Sequence, residues 1–280
     1  MRAEENHRIR PFLRWAGSKK KLLPTLAGFW QDRFSRYVEP FAGSASLFFD
    51  LAPSKAILGD LNRELIITYE AVCDSPAHVF RNVMRIPAGR SSYYHLRGSD
   101  PERLSRYQRA ARFIFLNRFC FNGLYRTNRS GEFNVPYAPQ RTGQLPSLEH
   151  LRECSVLLRR SELVCADFER TLSKCKLGDF VYMDPPFSVS ARRTFAEYGA
   201  EVFGGGDLDR LSSALRELDR KRVQFLVSYA DCTEGRALAS DWTVRRCKTR
   251  RNIAGFTASR RTDTELLIYN KPAVPSRRVK

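Results

Sequence analysis

Residues 37–65 read YVEPFAGSASLFFDLAPSKAILGDLNREL, and this stretch decides the fold. Tyr37 to Phe41 combines aromatic and β-branched side chains and is expected to form a strand. It runs into AGSAS, a turn of small residues that a ligand can approach closely, and then into an apolar helix through Leu51. A second short strand, Ala56 to Leu58, ends at Gly59-Asp60-Leu61-Asn62 and leads into a helix beginning near Arg63. Asp60 therefore stands where acids after a second strand accept hydrogen bonds from ribose hydroxyls in dinucleotide sites.

Working outward, short apolar runs recur at Glu162 to Cys165, Phe180 to Met183, Gln224 to Ser228 and Glu265 to Tyr269. Asp207 to Arg220 has helical spacing at Leu208, Leu211, Leu215 and Leu218. Strands alternating with helices predict an α/β chain with a doubly wound sheet. From about Glu64 to Arg159 the pattern is mainly helical, with apolar spacing over Tyr107 to Phe121, where Phe113, Phe119 and Phe121 are expected in a core. A Gly/Asn/Arg-rich loop, Asn122 to Gln144, breaks it. The organisation so predicted is an α/β domain of residues 1–63 and 160–280 interrupted by a helical domain of residues 64–159.

Among the 280 residues, 48 Lys and Arg face 30 Asp and Glu, a formal charge of +18. Such an excess favours a polyanionic partner, because each neutralised phosphate releases counterions. Nucleic acid is the leading reading; an anionic lipid surface and a merely basic soluble protein are the others. No window approaches 18 consecutive apolar residues, so no membrane span is expected. MRAEENHRIRPF at the start lacks the apolar core of a secretory signal. The seven cysteines are scattered without a C-x-x-C pair, which argues against a disulfide framework or structural zinc and fits a reducing cytoplasm. The four histidines are dispersed, and no metal is expected.

Chemistry concentrates at Val181-Tyr182-Met183-Asp184-Pro185-Pro186-Phe187. A strand here ends in an acid, two prolines and an aromatic ring, at the sheet edge where open α/β folds bind ligands. An amino group on a purine ring is a poor nucleophile, because its lone pair is delocalised. Hydrogen bonds to the Asp184 carboxylate and the Pro185 carbonyl would favour a pyramidal nitrogen with its lone pair turned toward a methyl donor. Two prolines stiffen the turn, and Phe187 offers a face on which an extruded base can stack. An ordinary strand-ending turn reads the same way, since the D-P-P triplet also arises by chance. GSKKK at residues 17–21 does not fit the phosphate-loop spacing, which disfavours a nucleotide triphosphatase.

Five segments in this order resemble the Dam family of DNA adenine methyltransferases: PFLRWAGSKKKLLP, VEPFAGSAS, GDLN, FLNRFCFNGLYRTNRSGEFNVPY and DPPF. The likeness runs from about Pro11 to Lys271, and the long central segment is its most specific part. It implies a Rossmann-like class I S-adenosylmethionine-dependent methyltransferase fold, with residues 64–159 as an inserted helical target-recognition domain. It also implies methyl transfer from S-adenosylmethionine to N6 of an adenine flipped out of double-stranded DNA. Catalysis falls to Asp184, Pro185, Pro186 and Phe187. Trp15 and Lys19 resemble residues that cover and bind the cofactor. Phe41, Ala42 and Gly43 would contact it, Asp60 its ribose, and Asp167 and Phe168 its adenine. Arg14 matches a basic residue that reaches a guanine, while Asn122, Leu124, Arg126, Asn128 and Pro136 match the segment that reads the target, expected to be GATC. Arg97 and Arg118 resemble contacts to the DNA backbone, a role arginine suits through bidentate bonding; Arg118 also reads as a helix brace. Arg245 to Arg261, with seven basic residues, reads as a DNA-backbone clamp or a solvated basic face.

Three departures stand out: Phe187 where tyrosine is more usual, Ala45 where a second glycine is common, and Gln140 where relatives carry an aromatic. The first costs a hydroxyl but keeps stacking, the second is expected to narrow the cofactor pocket, and the third touches the details of base flipping. The competing functions are N4-cytosine methylation, which uses the same acid-Pro-Pro-aromatic geometry, and a catalytically silent DNA-binding protein; RNA methylation ranks lower. The resemblance implies a cytoplasmic, DNA-associated protein of bacterial or phage origin with no obligate protein partner. Restriction protection, repair marking and phage roles share this chemistry, and a cognate restriction endonuclease would be the partner in the first.

Overall fold

The switch between strand and helix periodicity is realised as a seven-stranded sheet with helices on both faces. The computed structural model describes residues 8–17, 19–128, 130–138, 144–186, 203–250 and 262–270. The strands are β1 (Arg36–Glu39), β2 (Ala56–Asp60), β3 (Ser161–Cys165), β4 (Asp179–Met183), β5 (Gln224–Ala230), β6 (Thr243–Arg250) and β7 (Thr262–Tyr269). Their order is β3-β2-β1-β4-β5-β7-β6; β1 to β5 run parallel, and β7 is antiparallel to both of its neighbours. This is the Rossmann-like α/β arrangement expected from the sequence.

Side chains alternate across the pleat, so each strand serves two cores. Tyr37, Phe180, Leu226 and Leu267 enter one; Val38, Val181, Phe225 and Ile268 enter the other. Two-sided burial explains why the parallel strands β1, β2, β4 and β5 read as continuous apolar runs. On the first face lie α1 (Leu23–Ala27), α2 (Ser46–Leu51) and α3 (Arg63–Asp74); on the second, α8 (Phe168–Ser173), α9 (Gly205–Arg220) and α10 (Thr233–Leu238) contribute core residues. Arg36 and Asp179, paired in register at the starts of β1 and β4, form a two-pronged ion pair with N–O distances of 3.2 and 2.6 Å.

Between β2 and β3 run α3, α4 (Pro76–Met84), α5 (Arg90–Gly98), α6 (Arg106–Phe119) and α7 (Leu148–Leu158). Asn62 caps α3 by accepting from the Leu65 N–H, and Ser105 with Gln108 forms a capping box on α6. Leu65, Tyr69, Val79, Ala110, Ile114 and Leu151 pack into the same core as the first face of the sheet. A smaller cluster of Tyr93, Phe115, Leu116, Cys120 and Val135 sits under the loop after α6. That stretch is a folded hairpin closed by bridges between Cys120 and Tyr137 and between Thr127 and Phe133.

Three expectations need correction. β1 ends at Glu39, since Pro40 lacks the N–H that would extend the ladder. Phe121 is 41% exposed, because α6 stops at Phe119 and Cys120 is extended, which takes position 121 off the buried helical face. Phe113 is in the core as predicted. Residues 245–250 belong to β6, an edge strand whose Arg245, Arg246 and Lys248 are exposed, as both a solvated basic face and a DNA-backbone clamp require; residues 251–261 lie outside the described residues. Ala45 is fully buried with a left-handed φ of +50° and does not border the cavity described below, so the predicted narrowing is not found.

Candidate active site

The carboxyl ends of β1 and β4 meet where the strand order reverses, one half of the sheet continuing to β2 and β3 and the other to β5. Such a switch point leaves a crevice between diverging connections, and a cavity of about 770 Å³ opens there. On the β1 side the chain turns through Phe41, Ala42 and Gly43. Gly43 has φ +47°, and a methyl group there would sit 2.8 Å from the Trp15 indole, so glycine alone fits. From α3, the Tyr69 hydroxyl donates to the Gly43 carbonyl at 2.5 Å.

Asp60 closes the same turn from the end of β2, accepting from the N–H groups of Gly43 and Asn62 at 2.9 Å each. Its enclosure pushes the carboxyl up to about 6, against the hydrogen bonds from Asn62 and Gly43 that favour the ionised form. Farther along, Asp167 caps α8 by accepting from Glu169 N and pairs with Arg210 at 2.8 Å. Phe168 stacks on Phe41 with ring centres 5.3 Å apart, and the Arg210 guanidinium lies 4.9 Å from the Phe168 ring. Asn62 Nδ2, Glu64 Oε2 and Thr127 Oγ1 belong to residues that border the cavity and are buried without hydrogen-bond partners among the described residues.

From β4 come Asp184, Pro185 and Pro186. Lys19 Nζ lies 3.0 Å from Asp184 Oδ1 and 2.6 Å from Glu265 Oε1, and the Ser228 hydroxyl donates to the same Oδ1 at 3.2 Å. Burial works against the Lys19 charge, but the two carboxylates outweigh it and raise its pKa. Glu39, at the end of β1, is buried and accepts from the Tyr37 hydroxyl at 2.9 Å; burial pushes its carboxyl well above the usual range.

The cavity thus gathers every described residue expected at the cofactor and catalytic site: Trp15, Lys19, Phe41, Ala42, Gly43 and Asp60, with Asp167, Phe168, Asp184, Pro185 and Pro186. Phe187 and Gln140 lie outside the described residues. Sequence reading missed Glu39, Ser228, Arg210 and Glu265. Glu39 had a signal, an acid immediately before the small-residue turn; the others come together only through strand pairing and helix packing.

The residues expected to read DNA lie on one continuous scaffold. Arg14 exchanges backbone hydrogen bonds with the Asn117 amide at 2.8 and 2.7 Å, and its guanidinium donates to the Arg118 carbonyl at 3.1 Å. Arg118 in turn donates to the Phe12 carbonyl at 3.1 Å, which gives it a bracing contact; burial, then the Arg14 charge, lowers its pKa. In the hairpin, Asn122 is left-handed with φ +56°, Leu124 packs on the small cluster, and Arg126 donates to Asn134 Oδ1 at 2.7 Å. Asn128 holds the hairpin tip, its Oδ1 accepting from the N–H groups of Ser130 and Glu132 at 3.0 and 2.9 Å. Pro136 is exposed, and Arg97 lies over Tyr94 while donating to the Val135 carbonyl. Trp15 lies nearly parallel to Tyr125, ring centres 6.1 Å apart, so the cavity wall touches the hairpin directly.

Among the described residues no helix is long and apolar enough to cross a membrane, and no cluster of metal-ligating side chains occurs. Comparison with known proteins gives consistent relatives. The family model described as D12 class N6 adenine-specific DNA methyltransferase matches residues 15–253. A type II methyltransferase of Lactococcus lactis subsp. cremoris is 32% identical over 271 residues, covering 94% of this chain and 95% of the relative. A DNA adenine methylase of Serratia marcescens is 32% identical over 275 residues, covering 92% and 97%. The retron Ec67 DNA adenine methylase of Escherichia coli is 29% identical over 260 residues, covering 91% and 89%.

Proposed function

The chain belongs to the D12 class N6 adenine-specific DNA methyltransferase family, and from that premise we propose that its methyl donor is S-adenosylmethionine and its acceptor the N6 amine of an adenine flipped out of duplex DNA. One observation carries this reading: Asp184-Pro185-Pro186 shares a single cavity with Gly43, Asp60 and Phe168 at the switch point of the sheet.

The residues fit the cofactor. A cavity of about 770 Å³ suits a molecule of that size. Phe41 and Phe168 offer stacking faces for a purine, and the Asp60 carboxylate, already oriented by two backbone N–H groups, retains lone pairs for ribose hydroxyls. When bound, S-adenosylmethionine supplies an electrophilic methyl on a cationic sulfonium.

The protein's part is to prepare the nucleophile. The Asp184 carboxylate and the Pro185 carbonyl accept the two amine hydrogens, which draws the nitrogen toward a tetrahedral shape and frees its lone pair. The prolines fix φ at two consecutive positions, so the acceptors need little reorganisation. The excess proton leaves once the nitrogen is cationic, and no histidine is among the described residues bordering the cavity. Phe187 supplies the stacking face.

Residues 64–159 act in this reading as the target-recognition domain. Arg14 and the hairpin residues Asn122, Leu124, Arg126, Asn128 and Pro136 address the bases, with GATC as the proposed site, and Arg97 and Arg118 address phosphate. Methylated-base sequencing of a host expressing the gene tests both base and site. N6-methyladenine within GATC is expected, together with loss of methylation in D184A while DNA binding persists. N4-methylcytosine, or N6-methyladenine only outside GATC, overturns the corresponding part.

A further inference from the structure

Along the cavity wall runs a polar chain that joins Asp184 to residues the mechanism above does not use. It runs from the Tyr182 hydroxyl to Ser228 Oγ at 3.1 Å, then to Asp184 Oδ1, Lys19 Nζ and Glu265 Oε1 at 3.2, 3.0 and 2.6 Å. Lys19, Ser228 and Glu265 are 8%, 0% and 3% exposed. β7 delivers Glu265 by pairing it with Ala230, two residues beyond the Ser228–Leu267 rung, so Ser228 and Glu265 fall on the same face of the sheet.

Burying a lysine and a glutamate beside the part-exposed Asp184 is costly unless the charges satisfy one another. A lysine paired with Asp184 alone would neutralise the carboxylate that has to accept the amine. A second carboxylate against the same ammonium leaves the three groups with a net single negative charge. Oδ1 of Asp184 already receives Lys19 and Ser228, whereas no described residue donates to Oδ2.

We propose that Glu265 is a positioning residue for the methyl transfer: it holds the Lys19 ammonium against Oδ1 of Asp184, fixing the carboxylate with Oδ2 turned to the amine and keeping the group anionic beside the nascent cation. This rests on the adenine-methylation reading above. It assigns to the antiparallel β7 strand a share in catalysis, although Glu265 itself touches neither amine nor cofactor.

A double-mutant cycle in single-turnover methylation of duplex DNA tests it, with cofactor and DNA dissociation constants measured alongside. E265Q is expected to lower the rate at least tenfold with both dissociation constants within about twofold of wild type, and E265D to recover part of the loss. Because Glu265 acts through Lys19, K19M/E265Q should be as slow as K19M and no slower. If E265Q alone does not fold, the comparison of K19M with K19M/E265Q still decides, since that double change removes the buried pair together. A wild-type rate in E265Q, or a further tenfold loss in the double variant over K19M, overturns the proposal. Wild-type protein that leaves adenine unmethylated overturns the functional reading instead.

Discussion

Asp60 is pulled in two directions: enclosure raises its pKa to about 6, while backbone N–H groups of Asn62 and Gly43 favour its charge. An unfolded aspartate titrates near ~3.9. Between these values the native state binds the extra proton, so Asp60 contributes stability fully present below the unfolded pKa and lost as pH rises through about 6. In the proposed site cofactor binding has the opposite sign, because ribose hydroxyls would donate to the ionised carboxylate. S-adenosylmethionine affinity is therefore expected to rise with pH up to about 6 and level off above it. Calorimetric titration should show binding up to roughly tenfold weaker at pH 5 than at pH 7, with D60N flat over that interval; a flat wild-type profile would contradict the assignment. Ala45 gives a second lesson at this scale. Its left-handed φ of +50° is a conformation glycine adopts freely, which gives a backbone reason for the glycine that the family resemblance leads one to expect there.

Among the elements, β1 and β4 carry the site at one end and an ion pair at the other. Asp179 is fully buried, and Arg36 contacts both of its oxygens across the β1–β4 register. Removing the arginine leaves a buried carboxylate that still accepts from the Lys176 N–H. R36M is accordingly expected to destabilise the fold by about 3 kcal/mol, read by urea denaturation, while the cofactor affinity of the folded fraction stays near wild type. A loss under about 1 kcal/mol would show that Asp179 is hydrated or protonated when unpaired. The parallel strands were legible because two-sided burial writes them as unbroken apolar runs, and α3 because Asn62 caps it. β6 was not: an exposed edge strand alternates arginine and lysine with small apolar residues and reads as a basic surface. The recognition hairpin hid for a related reason, since two isolated bridges and an asparagine-held tip leave no period to detect. The site was legible wherever its residues sit in one segment, as in VEPFAGS and DPPF. It was illegible where Lys19, Ser228 and Glu265 converge from three distant ones.

For the whole molecule, the decisive property is a net charge of +18 joined to a cavity that opens beside the hairpin after α6. A duplex bound through several phosphates should dissociate steeply with salt, the logarithm of affinity falling by about 0.9 per contact for each logarithmic unit of salt. D184A should keep that slope if, as proposed, the carboxylate meets a base and not the backbone; a slope changed by one contact or more would place Asp184 in general DNA binding. The resemblance to DNA adenine methylases and the geometry of the cavity converge on a single chemical event, transfer of a methyl group to an exocyclic amine. The direct measurement incubates purified protein with duplex DNA and labelled S-adenosylmethionine, digests the DNA and identifies the labelled nucleoside by mass spectrometry. The account predicts N6-methyldeoxyadenosine in wild type and none in D184A; N4-methyldeoxycytidine, or unlabelled DNA that the protein nonetheless binds, would contradict it.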